Sequence, residues 1–322
     1  MADSVKELQR EFSGNSFHLH TYMGVYEIRD RDEAVSIMVD KANIAADTIK
    51  NNYDCCVAYY DEHLLEISIE QRRLLGEFEP ALQKGEFVMY LQPQVNRDGA
   101  AKGAEALVRW AHPSRGILTP YAFIDILENA GLIYKLDLYI WEKAAQKLAE
   151  WKEKGYGSYH ISVNISTKDF YIIDIYETFT GLINKYGIAA SNLHLEITET
   201  TLMTDFEKNM NIIHKLQGVG FRVEIDDFGS GYSSLNMLKD ISADVLKIDM
   251  GFLRKSENEV KGQDILESII TLAGKIGMDV ITEGVETKKQ LDMLTMMGCH
   301  EFQGYYFSKP VPVSEFEEKY LV

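Results

Sequence analysis

The sequence contains few cysteines and no long apolar run. Three cysteines occur among 322 residues, Cys55, Cys56 and Cys299, and none has the spacing of metal ligands. Such scarcity is typical of a reducing compartment. No uninterrupted apolar stretch approaches the ~18–20 residues of a membrane span, and the first residues lack the apolar core of a signal peptide. We therefore expect a soluble, cytoplasmic chain that makes no membrane contact.

Positive charge is also scarce. The chain has 33 Lys and Arg residues against 50 Asp and Glu residues, which gives a formal net charge of −17. A protein that binds a nucleic-acid polymer needs a basic face, so the net charge argues against this class. A small phosphorylated ligand remains compatible with the charge, because bound Mg²⁺ inverts the local field of a carboxylate cluster.

Several common catalytic motifs are missing from the chain. There is no Walker loop, no Ser/His/Asp or Cys/His constellation, and the eight histidines show no metal-ligand spacing. The triplet Asp227-Phe228-Gly229 matches a metal-binding triplet of protein kinases. The kinase catalytic loop, Gly-rich loop and lysine strand do not accompany it, so we reject that interpretation.

Alternating strand and helix patterns indicate the fold class. The predicted strands lie at 86–92, 104–109, 159–164, 193–198, 221–226, 244–248, 278–283 and 299–302, and the predicted helices at 119–131, 137–154, 168–186, 206–217, 259–277 and 287–297. Eight such strands over ~250 residues are typical of a TIM-like (β/α)8 barrel, although an open doubly wound sheet shares most of the pattern.

One connection between strands departs from that pattern. Only the segment Asn96–Gly99 separates the first two predicted strands, and its Asp-Gly pair indicates a hairpin. A parallel crossover needs about a dozen residues. We therefore predict a barrel whose first strand is antiparallel. Residues 1 to about 62 read as helix, strand, helix, strand, and predict a small partial α+β domain before the barrel.

Polar residues recur where the predicted barrel strands end. These positions are Glu105, Asn164, Glu196, Asp226, Asp227, Lys247 and Glu283. The carboxyl ends of parallel strands meet at one face, where several oxygen ligands would hold a divalent metal. Lys247 lies at the end of an apolar strand. Two interpretations remain open for it: an ammonium that reaches solvent, or one that acts on water or phosphate.

A series of motifs resembles the EAL domain family. The name-giving string is Glu105-Ala106-Leu107, and the others follow in the family's order over about 250 residues. They are Tyr90-Leu91-Gln92-Pro93, Ser162-Val163-Asn164-Ile165-Ser166, Leu195-Glu196-Ile197-Thr198-Glu199, Asp226-Asp227-Phe228-Gly229 through Leu235, Leu246-Lys247-Ile248-Asp249, Glu283-Gly284-Val285-Glu286 and Gln303-Gly304-Tyr305-Tyr306-Phe307.

The resemblance implies a TIM-like barrel that hydrolyses cyclic di-GMP to linear pGpG with two Mg²⁺ or Mn²⁺ ions, by in-line attack of water. Its metal ligands would be Glu105, Asn164, Glu196, Asp226 and Asp227. Lys247 would contact the attacking water, and Glu283 would orient either that water or, through water, the second metal. Substrate contacts would come from Gln92, Arg109 and Gln303, with Asp227 beside them. Glu199 would anchor the Asp-Asp loop, and Glu286 would support the site from outside.

The family resemblance also bears on domain organisation. The boundaries it implies are 1–66 for a partial segment with its linker and 67–322 for the phosphodiesterase barrel. The first segment resembles, loosely, the second half of a GGDEF (diguanylate cyclase) domain, but the Gly-Gly-Asp-Glu-Phe loop does not occur, so cyclase activity is not expected. The resemblance also implies a homodimer through the barrel. The alternative function is a catalytically silent cyclic di-GMP receptor.

Overall fold

The computed structural model describes residues 21–50, 56–229, 241–249, 251 and 259–321. Internal contacts divide the chain into two compact units, residues 1–80 and 81–322. The helix α2 (Glu62–Lys84) runs across this division and across the predicted boundary at residues 66 and 67. That boundary stays a prediction.

The first unit contains a small parallel β-α-β motif. Strand β1 (Met23–Val25) pairs in parallel with β2 (Val57–Tyr59), and helix α1 (Val35–Asp47) lies between them in the chain. Gly24 lets the helix approach, because a Cβ there would fall 1.7 Å from the carbonyl oxygen of Ala42. The predicted strand–helix–strand order is therefore present, and the predicted helix that precedes it lies outside the described residues.

Eight strands of the second unit form a closed barrel. Its neighbours follow the order β3-β11-β10-β9-β8-β7-β6-β4, and the pairing of β3 with β4 closes it. The strands are β3 (Phe87–Asn96), β4 (Ala101–His112), β6 (His160–Ile165), β7 (Leu193–Thr198), β8 (Val223–Phe228), β9 (Val245–Asp249), β10 (Asp279–Glu283) and β11 (Glu301–Phe302). Closure confirms the barrel and rules out the open sheet. Two short strands, β5 (Gly116–Leu118) and β12 (Val311–Pro312), extend β4 and β3 and were not predicted.

The first barrel strand runs against its neighbours. β3 is antiparallel to both β4 and β11, whereas the other neighbouring strands of the barrel are parallel. The β3–β4 turn is closed by the Asn96 side chain, whose Oδ1 accepts from the backbone N–H groups of Asp98 and Ala100, each at 3.0 Å. Gly99 adopts a φ of 82°, the left-handed conformation that this turn requires. The predicted hairpin is confirmed.

Helices surround the barrel and bury its outer face. They are α3 (Ile124–Asn129), α4 (Ile133–Glu153), α5 (Asp169–Ile172), α6 (Ile175–Tyr186), α7 (Glu199–Thr204), α8 (Phe206–Val219), α9 (Glu259–Lys275), α10 (Lys288–Met296) and α11 (Val313–Tyr320). Large buried aromatics such as Trp141 and Phe179, whose ring centroids lie 4.5 Å apart, fill the space between α4 and α6. Among the described helices, none is both long and apolar enough to span a bilayer.

Two predicted helices differ from the structure. The helix predicted at 168–186 is wrong as a single element, because the chain is extended at Ile173 and Asp174 caps a new helix by accepting from the N–H of Glu177 at 3.0 Å. The helix predicted at 119–131 begins instead as the 3₁₀ turn Pro120–Ala122 and continues as α3. Local capping and the proline explain both breaks.

Candidate active site

The parallel strands bring predicted polar residues together at their carboxyl ends. Glu196 is the fourth residue of β7, and Lys247 is the third residue of β9, which lies beyond β8. The leucine and isoleucine residues of β7 and the valine, leucine and isoleucine residues of β9 are buried and hold both strands in the core. Neither Glu196 nor Lys247 has any exposed surface. The charges of these side chains therefore face each other inside the barrel.

The ammonium of Lys247 lies at the centre of four carboxylates. Its Nζ atom is 2.7 Å from Oε1 of Glu283 and 2.9 Å from Oε2 of Glu196. It is 3.2 Å from Oδ1 of Asp226 and 3.6 Å from Oε2 of Glu105. Because the side chain is fully buried, the interpretation of Lys247 as an ammonium that reaches solvent is wrong. The lysine belongs to the carboxylate cluster.

Charge in this cluster is unbalanced. Four ionised carboxylates and one ammonium would leave three negative charges in a largely buried site. Burial and the neighbouring Glu105 raise the pKa of Glu196 well above its usual range. Burial likewise raises the pKa of Glu283 to about 8. Burial alone would lower the pKa of Lys247, but the surrounding carboxylates raise it well above its usual range.

Three side-chain amides flank the carboxylates. The Nδ2 atom of Asn164 donates to Oε1 of Glu105 at 3.1 Å, and the Nε2 atom of Gln303 donates to Oε2 of the same residue. Gln303 Nε2 also lies 3.3 Å from Oε1 of Gln92, whose own Nε2 donates to the carbonyl of Ser308 at 3.3 Å. The donors orient Glu105, and Asn164 keeps its carbonyl oxygen for another partner.

The side chains of the two consecutive aspartates differ in exposure and in their contacts. Asp226 is partly buried and directs Oδ1 at Lys247, whereas Asp227 is exposed. Asp227 has a φ of 55°, which is uncommon for a residue other than glycine and is tolerated best by Asn and Asp. The rest of the predicted Asp-Asp motif, residues 230–235, lies outside the described residues.

The remaining predicted residues lie near the same strand ends without joining the cluster around Lys247. Arg109, on β4, donates to the carbonyl of Val108 at 2.8 Å and places its guanidinium 5.5 Å from the ring centroid of Tyr90. Burial lowers the pKa of Arg109. Glu199 begins α7 directly after β7, and Glu286 follows β10, where its N–H donates to Gln290 Oε1 at 2.9 Å. Their roles stay predictions.

Gly304 contributes to the site in a way that individual residue types did not indicate. A Cβ at this position would fall 2.2 Å from the carbonyl oxygen and 2.4 Å from the backbone nitrogen of Val285. The loop after β11 therefore packs directly on the loop after β10, which sets Gln303 beside the cluster. The signal was present in the sequence as the glycine that follows Gln303.

The donor set fits a hard divalent cation. Apart from the ammonium of Lys247, no hydrogen-bond donor among the described residues contacts either carboxylate oxygen of Glu196. Carboxylate oxygens and one amide carbonyl are the ligands that Mg²⁺ and Mn²⁺ prefer. Excess buried negative charge is costly unless a cation offsets it. The residues that would hold a cation are Glu105, Asn164, Glu196 and Asp226.

Comparisons with known proteins agree with this geometry. The EAL domain family matches residues 76–310. The chain is 32% identical over 272 residues to the bifunctional diguanylate cyclase/cyclic di-GMP phosphodiesterase MucR of Pseudomonas aeruginosa. The aligned region covers 84% of this chain and 39% of MucR. It is 32% identical over 240 residues to the cyclic di-GMP phosphodiesterase PdeR of Escherichia coli, covering 74% of the chain and 36% of PdeR.

Solved structures give the same result. The structure of the MucR phosphodiesterase in complex with c-di-GMP superposes with a TM-score of 0.72 at 33% identity, covering 76% of this chain and 99% of that one. The EAL enzyme Bd1971, bound to cAMP and cyclic di-GMP, also superposes with a TM-score of 0.72, at 31% identity and with 78% and 69% of the two chains covered.

The closed barrel with one reversed strand belongs to the same fold as these solved EAL structures. The chain belongs to the EAL domain family, whose phosphodiesterases are metal-dependent. It spans less than half the length of the curated relatives described above.

Proposed function

We propose that this chain hydrolyses cyclic di-GMP to linear pGpG with two Mg²⁺ or Mn²⁺ ions. The observation that carries the proposal is the set of four carboxylates that converge on the buried Nζ atom of Lys247. The donor amides of Asn164, Gln303 and Gln92 border this set and add neutral polar groups to it. Such a site accepts a phosphodiester only together with cations.

In this proposal Glu105, Asn164, Glu196 and Asp226 would hold one ion, and Asp226 and Asp227 would hold a second. Bound in pairs, such ions lower the pKa of water and offset the charge of a phosphodiester during in-line displacement. Asp227 is suited to the outer position because it is the exposed member of the aspartate pair.

Lys247 and Glu283 would act on the attacking water. The two side chains are 2.7 Å apart, so the carboxylate holds the ammonium in one orientation. The ammonium carries three N–H donors, and four carboxylates lie within 3.6 Å of it. With the carboxylates engaged by a cation, an N–H of Lys247 would be available to orient water. Glu283 would then hold that water on its other side.

Substrate would be held at the rim. Gln92 and Gln303 present amide groups that can pair with phosphate oxygens or guanine edges, and both are at least nine-tenths buried. Arg109 adds a cation beside Tyr90 on the adjacent strand pair. A guanidinium and an aromatic ring suit a purine base with a phosphate next to it.

The first unit is proposed as a remnant of a diguanylate cyclase domain that regulates the barrel. Its support is the parallel β-α-β motif and the sequence resemblance. A homodimer through the barrel is part of the same proposal, and light scattering at several protein concentrations tests it.

The function is tested by incubating the purified chain with cyclic di-GMP and Mg²⁺ and separating the nucleotides by chromatography. We expect pGpG from the wild type and none after chelation. Glu105→Gln should abolish turnover, since it removes a ligand charge while preserving the side-chain shape. Glu150→Gln is the matched control, because Glu150 is a solvent-exposed partner of Lys147 on α4. Binding of cyclic di-GMP by the wild type without pGpG would instead identify the silent receptor.

A further inference from the structure

A second polar cluster lies toward the amino ends of the same barrel strands. It consists of His160, the first residue of β6, and of His194 and Glu224, the second residues of β7 and β8. The three residues are between 0% and 9% exposed. They precede Asn164, Glu196 and Asp226 on their strands and take no part in the proposed hydrolysis. We call them the amino-end cluster.

Hydrogen bonds fix the outer nitrogen of each histidine. The Nε2 atom of His160 is 2.7 Å from Oε1 of Gln94, and the Nε2 atom of His194 is 3.2 Å from the carbonyl oxygen of Ser191. Both partners are acceptors, which favours the tautomers that carry hydrogen on Nε2. Metal-binding histidines are oriented in this way, with one nitrogen donating to an oxygen and the other left for the ion.

The inner side of the cluster brings a nitrogen of His194 against the carboxylate of Glu224. Nδ1 of His194 lies 2.6 Å from Oε1 of Glu224, and a positive charge is needed between them, either a proton or a metal ion. The second oxygen of Glu224 is buried and has no hydrogen-bond partner among the described residues. Each of the three residues has one possible ligand atom that lies within 4.8 Å of those of the other two.

The barrel is shaped around this cluster. The rings of His160 and His194 are parallel, with centroids 3.9 Å apart. His160 pairs with Gly103 on β4, where a Cβ would fall 2.4 Å from the imidazole ring, so any other residue would displace the ring. Ser162 supports the carboxylate, with Oγ 3.3 Å from Oε1 of Glu224. These contacts describe a prepared site rather than an accidental approach of side chains.

We propose that His160, His194 and Glu224 bind one divalent transition metal ion of the Zn²⁺ class. Two imidazole nitrogens and one carboxylate oxygen are typical zinc ligands, whereas the carboxyl-end site offers mainly oxygen. Tetrahedral coordination places ligand atoms roughly 3.3 Å apart, so the stacked rings would tilt toward the ion. Both histidines line a cavity of about 450 Å³.

The two ends of the barrel would therefore select different ions. The amino-end ion would link β6, β7 and β8 and stabilise the barrel, in keeping with the general division between a catalytic carboxyl end and a structural amino end of such folds. This inference is independent of the proposed hydrolysis. The competing explanation is an imidazolium of His194 paired with Glu224, with no metal.

Metal content distinguishes the two explanations. The chain is stripped with a chelator, dialysed against micromolar Zn²⁺ in excess Mg²⁺, and analysed for zinc. We expect the wild type to retain one more equivalent of Zn²⁺ than the double variant His160→Gln/His194→Gln. The matched control His112→Gln, a buried histidine on β4 outside the cluster, should retain the wild-type amount. Equal zinc in the wild type and the double variant would overturn the proposal.

A second measurement does not depend on the folding of a variant. The zinc X-ray absorption spectrum of the wild-type chain should contain the scattering pattern of two imidazole ligands. A spectrum with oxygen ligands alone, or the absence of retained zinc, would identify the cluster as a hydrogen-bonded ion pair and contradict the inference.

Discussion

The Nζ atom of Lys247 lies 2.9 Å from Oε2 of Glu196, and neither side chain has any exposed surface. An ion pair taken fully out of water gains a strong mutual attraction but loses the hydration of both charges. Three further carboxylates contact the same ammonium. The buried carboxylates therefore need the positive charge of Lys247 for the stability of the fold, independently of any role of Lys247 in turnover.

Lys247→Met should destabilise the metal-free protein strongly. The substitution preserves most of the side-chain volume and leaves buried carboxylates without their counter-charge, so we expect a loss of about 3–5 kcal/mol in the free energy of unfolding. Urea denaturation in the presence of a chelator measures it. Mg²⁺ should recover part of the loss. The control Lys185→Met removes an ion pair whose lysine side chain is 60% exposed, and should cost less than about 1 kcal/mol. Equal losses in the two variants would contradict the central role of Lys247.

Asp227→Asn should separate activity from stability. Asparagine tolerates the left-handed conformation that Asp227 adopts, so the free energy of unfolding should stay within about 0.5 kcal/mol of the wild-type value. Turnover of cyclic di-GMP should fall at least about tenfold, because a proposed ligand charge is lost. Asp227→Ala should lose activity and also about 1–2 kcal/mol of stability. Wild-type turnover by the asparagine variant would remove Asp227 from the site.

Asp137→Asn should change how stability depends on pH. Burial, and then the charge of Asp169, raise the pKa of Asp137 well above its usual range. Asp169 already accepts from the N–H and hydroxyl of Ser166, each at 2.8 Å, so Asp137 holds the proton that joins the two acids.

The folded chain thus binds a proton that the unfolded chain releases above the ordinary aspartate pKa of 3.8. The shared proton therefore adds to the free energy of unfolding. This addition is fully present below the pKa of the unfolded chain, and it is lost, by about 1.4 kcal/mol per pH unit, as pH rises through the pKa of the folded chain. Unfolding curves from pH 4 to pH 8 should converge or cross, with the asparagine variant gaining on the wild type as pH rises. A constant difference between the two proteins would show that no proton is shared.

Gly304→Ala should be costly, whereas Gly181→Ala should be favourable. A Cβ at residue 304 meets the backbone of Val285, which cannot rotate away, and overpacking of this kind costs about 1–3 kcal/mol. Gly181 lies exposed within α6 with nothing within 4 Å of a Cβ, so alanine should stabilise the chain by about 0.5–1 kcal/mol. Thermal melting of the two variants in parallel checks both signs. A neutral Gly304→Ala would mean that the two loops are not in contact.

The sequence was most informative where one local signal decides the structure. The Asp98-Gly99 pair predicted the hairpin, and with it the direction of β3, because turn geometry is local. The same local reasoning failed within 168–186, where a single capping interaction at Asp174 divides one apolar periodic run into two helices. Capping depends on the conformation of one residue, which periodicity does not encode.

The carboxyl-end site could be predicted as a set of strand ends, but the position of Lys247 at its centre could not. That position depends on the barrel's closure and on the register between strands. The amino-end cluster shows the same limit. His160, His194 and Glu224 are separated by 34 and 30 residues, so spacing gave no signal. They meet because of the strand register. Ser162, two residues after His160, pairs with His194, and Glu196, two residues after His194, pairs with Glu224.

The reversed strand β3 makes the two ends of the barrel interdependent. Because it runs against its neighbours, Gln92 reaches the carboxyl-end site through Gln303, while Gln94, two residues later, reaches the amino-end cluster through His160. A slip of one residue in the β3–β4 hairpin would turn both glutamines out of the barrel at once. Selection for either site therefore constrains the other, and a graft of this hairpin into a related barrel would transfer determinants of both.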